Sequence, residues 1–138
     1  MSTEQKKEKE VVFNDFTTKA IQRLKDKKTR KYETLYIPSL DENIKIQSLL
    51  YPEIVECSET EDASDPNKAD KYAIYLSVVE PDLKQLAVTL KEKGEIREYT
   101  DIVDIFDMAE ISQIAMEVMK ISGVTGDKKV VVVSELKN

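Results

Sequence analysis

The sequence predicts an α+β, mostly helical fold: an N-terminal helix and a small antiparallel β-hairpin, followed by a cluster of about four to five short helices. The chain has 138 residues, 41% of them hydrophobic, which suffices for one core. Apolar and polar residues alternate over residues 34–37 and 44–47, as in half-buried strands. From residue 72 onward the apolar residues recur at helical spacing instead.

The N-terminal part divides near residue 12. Residues 1–12 are polar, balance lysine against glutamate and show no periodicity, which predicts a disordered arm. A helix then follows, which Asn14 can cap and which ends near Lys28. Its narrow apolar stripe has spacings of four: Phe16, Ala20 and Leu24.

We therefore predict a single globular domain over residues 13–126, with residues 127–138 forming a C-terminal tail or a short strand. The last part contains four consecutive valines, Val130–Val133. Such a run promotes aggregation unless it is paired, so we expect it to be partly buried or shielded by neighbouring charge.

The predicted hairpin has Pro38–Asn43 as its connector. Pro52 then suits the first turn of a short helix that carries Ile54 and Val55. Thr60–Lys68 is polar and contains a proline, which predicts a linker and a break in the chain.

The second half is predicted to be helical. An apolar helix runs from Tyr72 to Val79, and Pro81 fits the first position of the next helix. Gly94 supplies a stop for that helix. A further short helix begins at about Thr100.

The last predicted helix begins at the capping-box spacing Asp107-Met-Ala-Glu110 and ends near Ser122. With about 100° of rotation per residue, the apolar residues of this helix cover an arc of roughly 160° of its surface. This arc is wider than the face that a helix needs to pack against one neighbouring element. Either the helix packs on two sides, or one flank is free for a partner. The methionines are on one flank, and methionine suits both a core and an adaptable partner groove. The candidate partner-binding residues are Met108, Ile111, Ala115, Met116 and Met119.

Several kinds of chemistry are excluded by composition. The chain has no histidine, which excludes Ser-His and Cys-His dyads and His-ligated zinc. Its three glycines are too far apart for a phosphate-binding loop. Cys57 lies among glutamates, which raise a thiol pKa. We predict no catalytic residue, cofactor or metal, and no enzymatic activity.

Charge is distributed unevenly. The net charge is −6, and neither an 18-residue apolar run nor a signal peptide is seen, so we expect a cytoplasmic protein. Lys19–Lys31 is strongly basic and could contact phosphates, although the acidic total disfavours nucleic acid. Glu53–Asp65 holds six acids without the glycine and spacing of a calcium loop, and so predicts a solvated acidic face.

Several short segments within residues 32–138 have a distinctive amino-acid sequence and occur in a distinctive order. They are Ser39-Leu40 with Ile44-Lys45-Ile46, Tyr51-x-Glu53-Ile54, Tyr75–Lys84 with Val78-Val79-Glu80-Pro81-Asp82-Leu83, Ala109-Glu110-Ile111-Ser112 and Ile121-Ser122-Gly123. In this order they resemble the XkdN-like tail assembly chaperones of tailed phages and prophages. The chain departs from that pattern at Phe106–Ala109, where an approach containing proline and glycine is expected.

The resemblance implies a non-enzymatic role. Such chaperones bind the long, helical, aggregation-prone tape measure protein and keep it soluble until the tail tube assembles around it, and they are absent from the mature virion. In many such systems a ribosomal frameshift gives a longer product, whose extension recruits the tail tube protein.

The end of the chain allows a specific hypothesis about such a product. Leu136-Lys137-Asn138 can be encoded with A AAA AAC, a minus-one slippery heptamer; alternatively, Lys-Asn is simply a polar end. Reading the codons tests this, because AAG for Lys137 or the lack of an overlapping minus-one frame would exclude slippage.

Two other functions stay open. One is a small nucleic-acid-associated or regulatory protein that uses residues 19–31. The other is a structural component of the virion. A salt titration separates phosphate binding from apolar capture, and detection in purified particles would favour a virion component.

Overall fold

The computed structural model describes residues 2–62, 64–126 and 130–136. The chain forms two compact units, residues 1–30 and residues 31–138. The boundary therefore lies at residue 30/31, not at residue 12 as the sequence analysis placed it.

The first unit contains a single long helix, α1, Thr3–Lys28. Ser2 caps it: its hydroxyl accepts from the Gln5 N–H at 3.2 Å, and Gln5 Oε1 accepts from the Ser2 N–H at 3.0 Å. The predicted disordered arm is wrong for residues 3–12, and Asn14 lies inside the helix. The physical reason is that lysine and glutamate are good helix formers, so a capped polar stretch can be helical without apolar periodicity.

The second unit begins with the predicted hairpin. Strand β1, Tyr32–Ile37, pairs antiparallel with β2, Glu42–Gln47, in an unbroken register from Tyr32 opposite Gln47 to Ile37 opposite Glu42. The connector ends at Asp41, which has a positive φ of 50°. The Tyr36 hydroxyl donates to the Asp41 carboxylate at 2.7 Å, which holds the turn.

A third strand, β3, Val78–Glu80, pairs with the other side of β2, so the sheet order is β1-β2-β3. The sequence analysis extended a helix through Val79 and was wrong there, because β3 forms by pairing with a strand some thirty residues earlier. Pro81 follows it after a cis peptide bond, and the next helix begins at Leu83 rather than at Pro81.

The remaining elements are helical, as predicted for all but the last of them. They are α2 Tyr51–Glu59, α3 Lys68–Ser77, α4 Leu83–Glu92, the 3-10 helix Tyr99–Ile105, α5 Met108–Ile121 and α6 Val133–Leu136. The residues between α2 and α3 make turns, and no unit boundary falls there. Among the described residues no helix is both long and apolar enough to cross a membrane.

The core lies between the inner face of the sheet and the helices. α3 is central: it packs against α2, α5 and the 3-10 helix. The largest fully buried side chains are Ile46, Ile74, Leu83, Ile102, Val103 and Val118.

The valine run is exposed. Val131, Val132 and Val133 are between 45% and 64% exposed, and Val130 is fully so. Val130–Val132 lie outside any strand and Val133 begins α6, so of the predicted tail or short strand the strand is not formed by these residues, and the expected partial burial is wrong for them. Residues 127–129, 137 and 138 lie outside the described part of the chain.

Candidate partner-binding surface

The candidate surface lies on α5, a helix whose position is determined by its buried face. Its buried face carries Ile111, Ile114, Ala115 and Val118. This face packs against α3 and against both strands of the hairpin. The orientation of α5 is therefore set by the core, which decides which of its side chains stay exposed.

The N-terminus of α5 is tied to the hairpin turn through Glu110. Its carboxylate accepts from the Ser39 N–H at 3.0 Å, from the Ser39 hydroxyl at 2.5 Å and from the Asp107 N–H at 2.9 Å. These three donors lower the pKa of Glu110 from its ordinary value, the Ser39 hydroxyl contributing most. The sequence analysis identified Glu110 as part of a capping box, and the structure adds that its side chain is buried, only 8% exposed.

The C-terminus of α5 is tied to the end of β2 through Ser122. The Ser122 hydroxyl accepts from the Leu49 N–H at 2.8 Å and donates to the Val118 carbonyl at 2.5 Å. The next residue, Gly123, has a φ of 81°, a left-handed conformation that glycine adopts without steric cost. Both ends of α5 are thus fixed to the hairpin by side-chain hydrogen bonds.

The five predicted partner-binding residues divide into two groups. Ile111 and Ala115 are each 3% exposed and belong to the core. Met108 is 75% exposed and Met116 is 64% exposed, while Met119 is partly buried against the core. α5 thus packs against α3 and the hairpin and also leaves Met108 and Met116 exposed.

We call Met108, Met116 and Met119 the methionine flank. Met108 and Met116 are eight residues apart, with exposed Ser112 midway between them. Residues spaced by four are neighbours on a helix surface, so the two methionines lie on one ridge that is inclined to the helix axis. A flexible thioether strip on a rigid helix can adapt to apolar side chains of different shapes. This arrangement suits binding; it offers no group for acid-base or nucleophilic chemistry.

A second apolar surface, on the first unit, was only partly predicted. No residue of α1 is buried. Phe13 is 70% exposed, Phe16 is 72% exposed and Leu24 is 61% exposed. The sequence analysis missed Val12 and Phe13 because it ended the supposed arm there; the run Val11-Val12-Phe13 before Phe16 was the signal that α1 begins earlier.

Side chains near the end of the acidic stretch, Glu53–Asp65, form hydrogen bonds and ion pairs with nearby residues. Ser64 donates to Asp62 through its N–H at 2.9 Å and its hydroxyl at 2.8 Å, which lowers the pKa of Asp62. The Lys71 ammonium lies 3.7 Å from Asp65 and 3.0 Å from Asp104. Within residues 2–62, 64–126 and 130–136 there is no group of three or more side chains placed to hold a metal ion.

Cys57 lies in the core, 4% exposed. Burial raises its thiol pKa to about 11, with further contributions from Glu56 and Glu53. The direction agrees with the sequence analysis, but burial rather than the neighbouring glutamates is the main cause. A thiol with this pKa is almost fully protonated at neutral pH and is a poor nucleophile.

Comparison of the chain with protein families, with characterised proteins and with solved structures finds no match.

Proposed function

We propose that this protein is a tail assembly chaperone of a tailed phage or prophage, and that it binds the tape measure protein and keeps it soluble before the tail tube assembles. The observation that carries the proposal is the methionine flank: exposed apolar side chains on a helix whose other face and both ends are fixed. A tape measure protein is long and helical, and its apolar face is the kind of surface that such a strip can hold.

The pieces of sequence that resemble the chaperone family support the proposal, because they contact one another in the fold. Ser39 binds Glu110, and Ser122 binds Leu49, which lies between two other such pieces. Glu53 accepts from the Leu50 N–H at 2.8 Å and caps α2. These residues have structural roles that would shape the binding helix without touching the partner.

The proposed mode of binding is apolar and reversible. Met108 and Met116 supply contact area, while the neighbouring polar residues Ser112 and Gln113 remain at the rim. A small contact of this kind gives moderate affinity at each site. Several copies of the chaperone along one long helical partner would then cover it, and each could be displaced as tube subunits arrive. The protein acts in this proposal as a binding protein, with no catalytic step.

The test is co-expression with the tape measure protein encoded beside it. We expect the tape measure protein to move from the insoluble to the soluble fraction and to co-purify. The double variant Met108→Ser, Met116→Ser should lose most of this effect while keeping the fold, since both side chains are exposed.

The matched control is Val88→Ser, because Val88 is an exposed apolar residue on a different helix, 37% exposed. It should behave like the unmodified protein. No gain in solubility and no complex with the unmodified protein would overturn the proposed function. Equal loss in both variants would overturn the assignment of the methionine flank.

The basic block, residues 19–31, supports one alternative function, which is binding to nucleic acid. Most of it lies in the first unit, which is basic as a whole. Residues 1–30 carry nine lysines and arginines against five acids, a net charge of +4, while the rest of the chain carries twelve against twenty-two, a net charge of −10. Binding through the basic block would weaken steeply with added salt, whereas apolar capture of the tape measure protein would not.

A further inference from the structure

The outer edge of β1 is an open pairing site. β1 is the terminal strand of the sheet and pairs with β2 on one side only. Among the described residues no strand pairs with its other side. Alternate N–H and C=O groups of Tyr32–Ile37 point toward that side, and such a row is a template for another strand.

The two edges of the sheet differ in how they are protected. β3 has three residues, is followed by Pro81 and pairs with β2 across an irregularity at Lys45/Ile46. Short length, proline and bulges are the usual protection against unwanted pairing. β1 has six residues, YETLYI, with no proline and no lysine, and its register with β2 has no bulge. The β1 edge is therefore suited to accept a partner strand.

The surface beside this edge is acidic. A shallow groove between β1 and α5 has Leu35, Tyr36, Ile37, Gln113, Ile114 and Glu117 among its lining residues. Glu33, on the same face of β1, lies against Glu117. The pKa of Glu33 is raised, first by burial and then by the hydrogen bond and charge of Glu117, while Lys120 acts in the opposite direction. A strand that brings positive charge to this edge would relieve the repulsion between the two carboxylates.

The valine run, Val130–Val133, has the properties of a strand that could pair with the β1 edge. Val130–Val133 are exposed, and valine has a high preference for strands. In sequence they follow Lys128 and Lys129, whose charge is complementary to that of Glu33 and Glu117. Among the residues that the structure describes, none covers the run, so its apolar surface is open to a second molecule.

We propose that Val130–Val132 of one copy add as a fourth strand to the outer edge of β1 in a second copy. A two-fold exchange pairs both free edges and covers both valine runs at once, which closes the assembly as a dimer. Each added strand is only three residues long, since Val133 belongs to α6, so the dimer dissociates on dilution. This interface does not use Met108 or Met116, and its failure would leave the proposed function standing.

Sedimentation equilibrium of the full-length protein over a dilution series tests the dimer. We expect a monomer–dimer equilibrium in which Val131→Pro raises the dissociation constant by at least about tenfold, since proline removes a strand hydrogen bond and constrains the backbone. The matched control Val131→Thr keeps a β-branched side chain and should change the constant by less than about threefold. A monomer at every concentration, or a dimer unaffected by Val131→Pro, would overturn the proposal.

Cross-linking locates the contact. Thr34→Cys places a thiol on the exposed part of β1 and Val132→Cys places one in the valine run, while the native Cys57 is buried and unreactive. Mixing the two single variants with a short bismaleimide should give a covalent heterodimer. If the two proteins do not cross-link, or if a chain carrying both substitutions closes only on itself, exchange between copies is wrong.

Discussion

Helices α1 and α5 both display apolar side chains to solvent, but they are held in place by different forces. α5 has 14 residues, five of them buried, and both its ends are bound to the hairpin. α1 has 26 residues and none is buried. Helicity in α1 therefore rests on local terms, namely the Ser2 cap and good helix formers, whereas in α5 it rests on tertiary packing. The comparison shows that the exposed apolar side chains of α5 are held in position by the buried face and fixed ends of the same helix, whereas those of α1 are not.

The largest difference between the two helices is expected in native-state hydrogen exchange. Amides of α5 open only with large-scale unfolding, whereas those of α1 open by local fraying. Protection factors in α5 should exceed those in α1 by on the order of 100-fold or more. Equal protection in the free protein would mean that α1 is held by contacts that its exposure does not reveal.

Core substitution in α5 should have the next largest effect. Ile114→Ala removes a side chain that is 2% exposed and should lower the free energy of unfolding by about 2–5 kcal/mol. Phe16→Ala, the matched truncation of a larger but exposed residue in α1, should change it by less than about 0.5 kcal/mol. Urea unfolding followed by circular dichroism measures both, and a large effect of Phe16→Ala would contradict the distinction.

The hydrogen bonds of Ser122 at the C-terminus of α5 can be tested by comparing this residue with Ser112, which lies within the helix. Ser122→Ala leaves the Leu49 N–H without its acceptor and should cost about 1–3 kcal/mol of unfolding free energy. Ser112→Ala, on the exposed face, should be neutral or slightly stabilising, since alanine is the better helix former. If both substitutions were neutral, the Ser122 hydrogen bonds would contribute nothing to holding α5.

The hydrogen bonds that Glu110 accepts at the N-terminus of α5 predict that the free energy of unfolding depends on pH. Because the pKa of Glu110 is lower in the folded protein than its ordinary value of 4.5, the folded state binds the proton less well than the unfolded state. The stabilisation is present above the ordinary value and is lost as pH falls through the folded-state pKa.

Thermal unfolding between neutral pH and the acid range should therefore show part of the acid destabilisation disappearing in Glu110→Gln. The control is Glu59→Gln, because Glu59 is an exposed glutamate on a different helix, α2. A Glu110→Gln profile parallel to that of the unmodified protein would show that the Ser39 contacts do not favour the ionised form.

Much of the fold follows from local pattern. Alternation around Leu35 and Ile44 predicted the hairpin, and helical periodicity predicted the position of α5. The same pattern also produced the errors. Val79 fits the apolar spacing of α3, yet it is in β3, because hydrogen bonds to β2 outweigh a helical preference that valine holds only weakly. Residues 3–12 lack periodicity, yet they are helical, because a fully exposed helix has no buried face to impose one.

The candidate surface was predicted only in part. The sequence identified an apolar arc on α5 wider than one seam, and it identified the methionines within that arc. It could not divide Ile111 and Ala115 from Met108 and Met116, since all four are apolar and only the position of α3 and the hairpin decides which of them are covered.

The sequence by itself determined the class of fold, the two strands of the hairpin through their alternation, the approximate bounds of α5 and the lack of histidine, because these depend on spacing and composition within short stretches of chain. Only the tertiary structure decided that Ser39 meets Glu110 and that Leu49 meets Ser122. It also decided that β3 completes the sheet and that Met108 and Met116 remain exposed. These contacts join residues dozens of positions apart, and which groups meet is set by packing of the whole core rather than by any local preference.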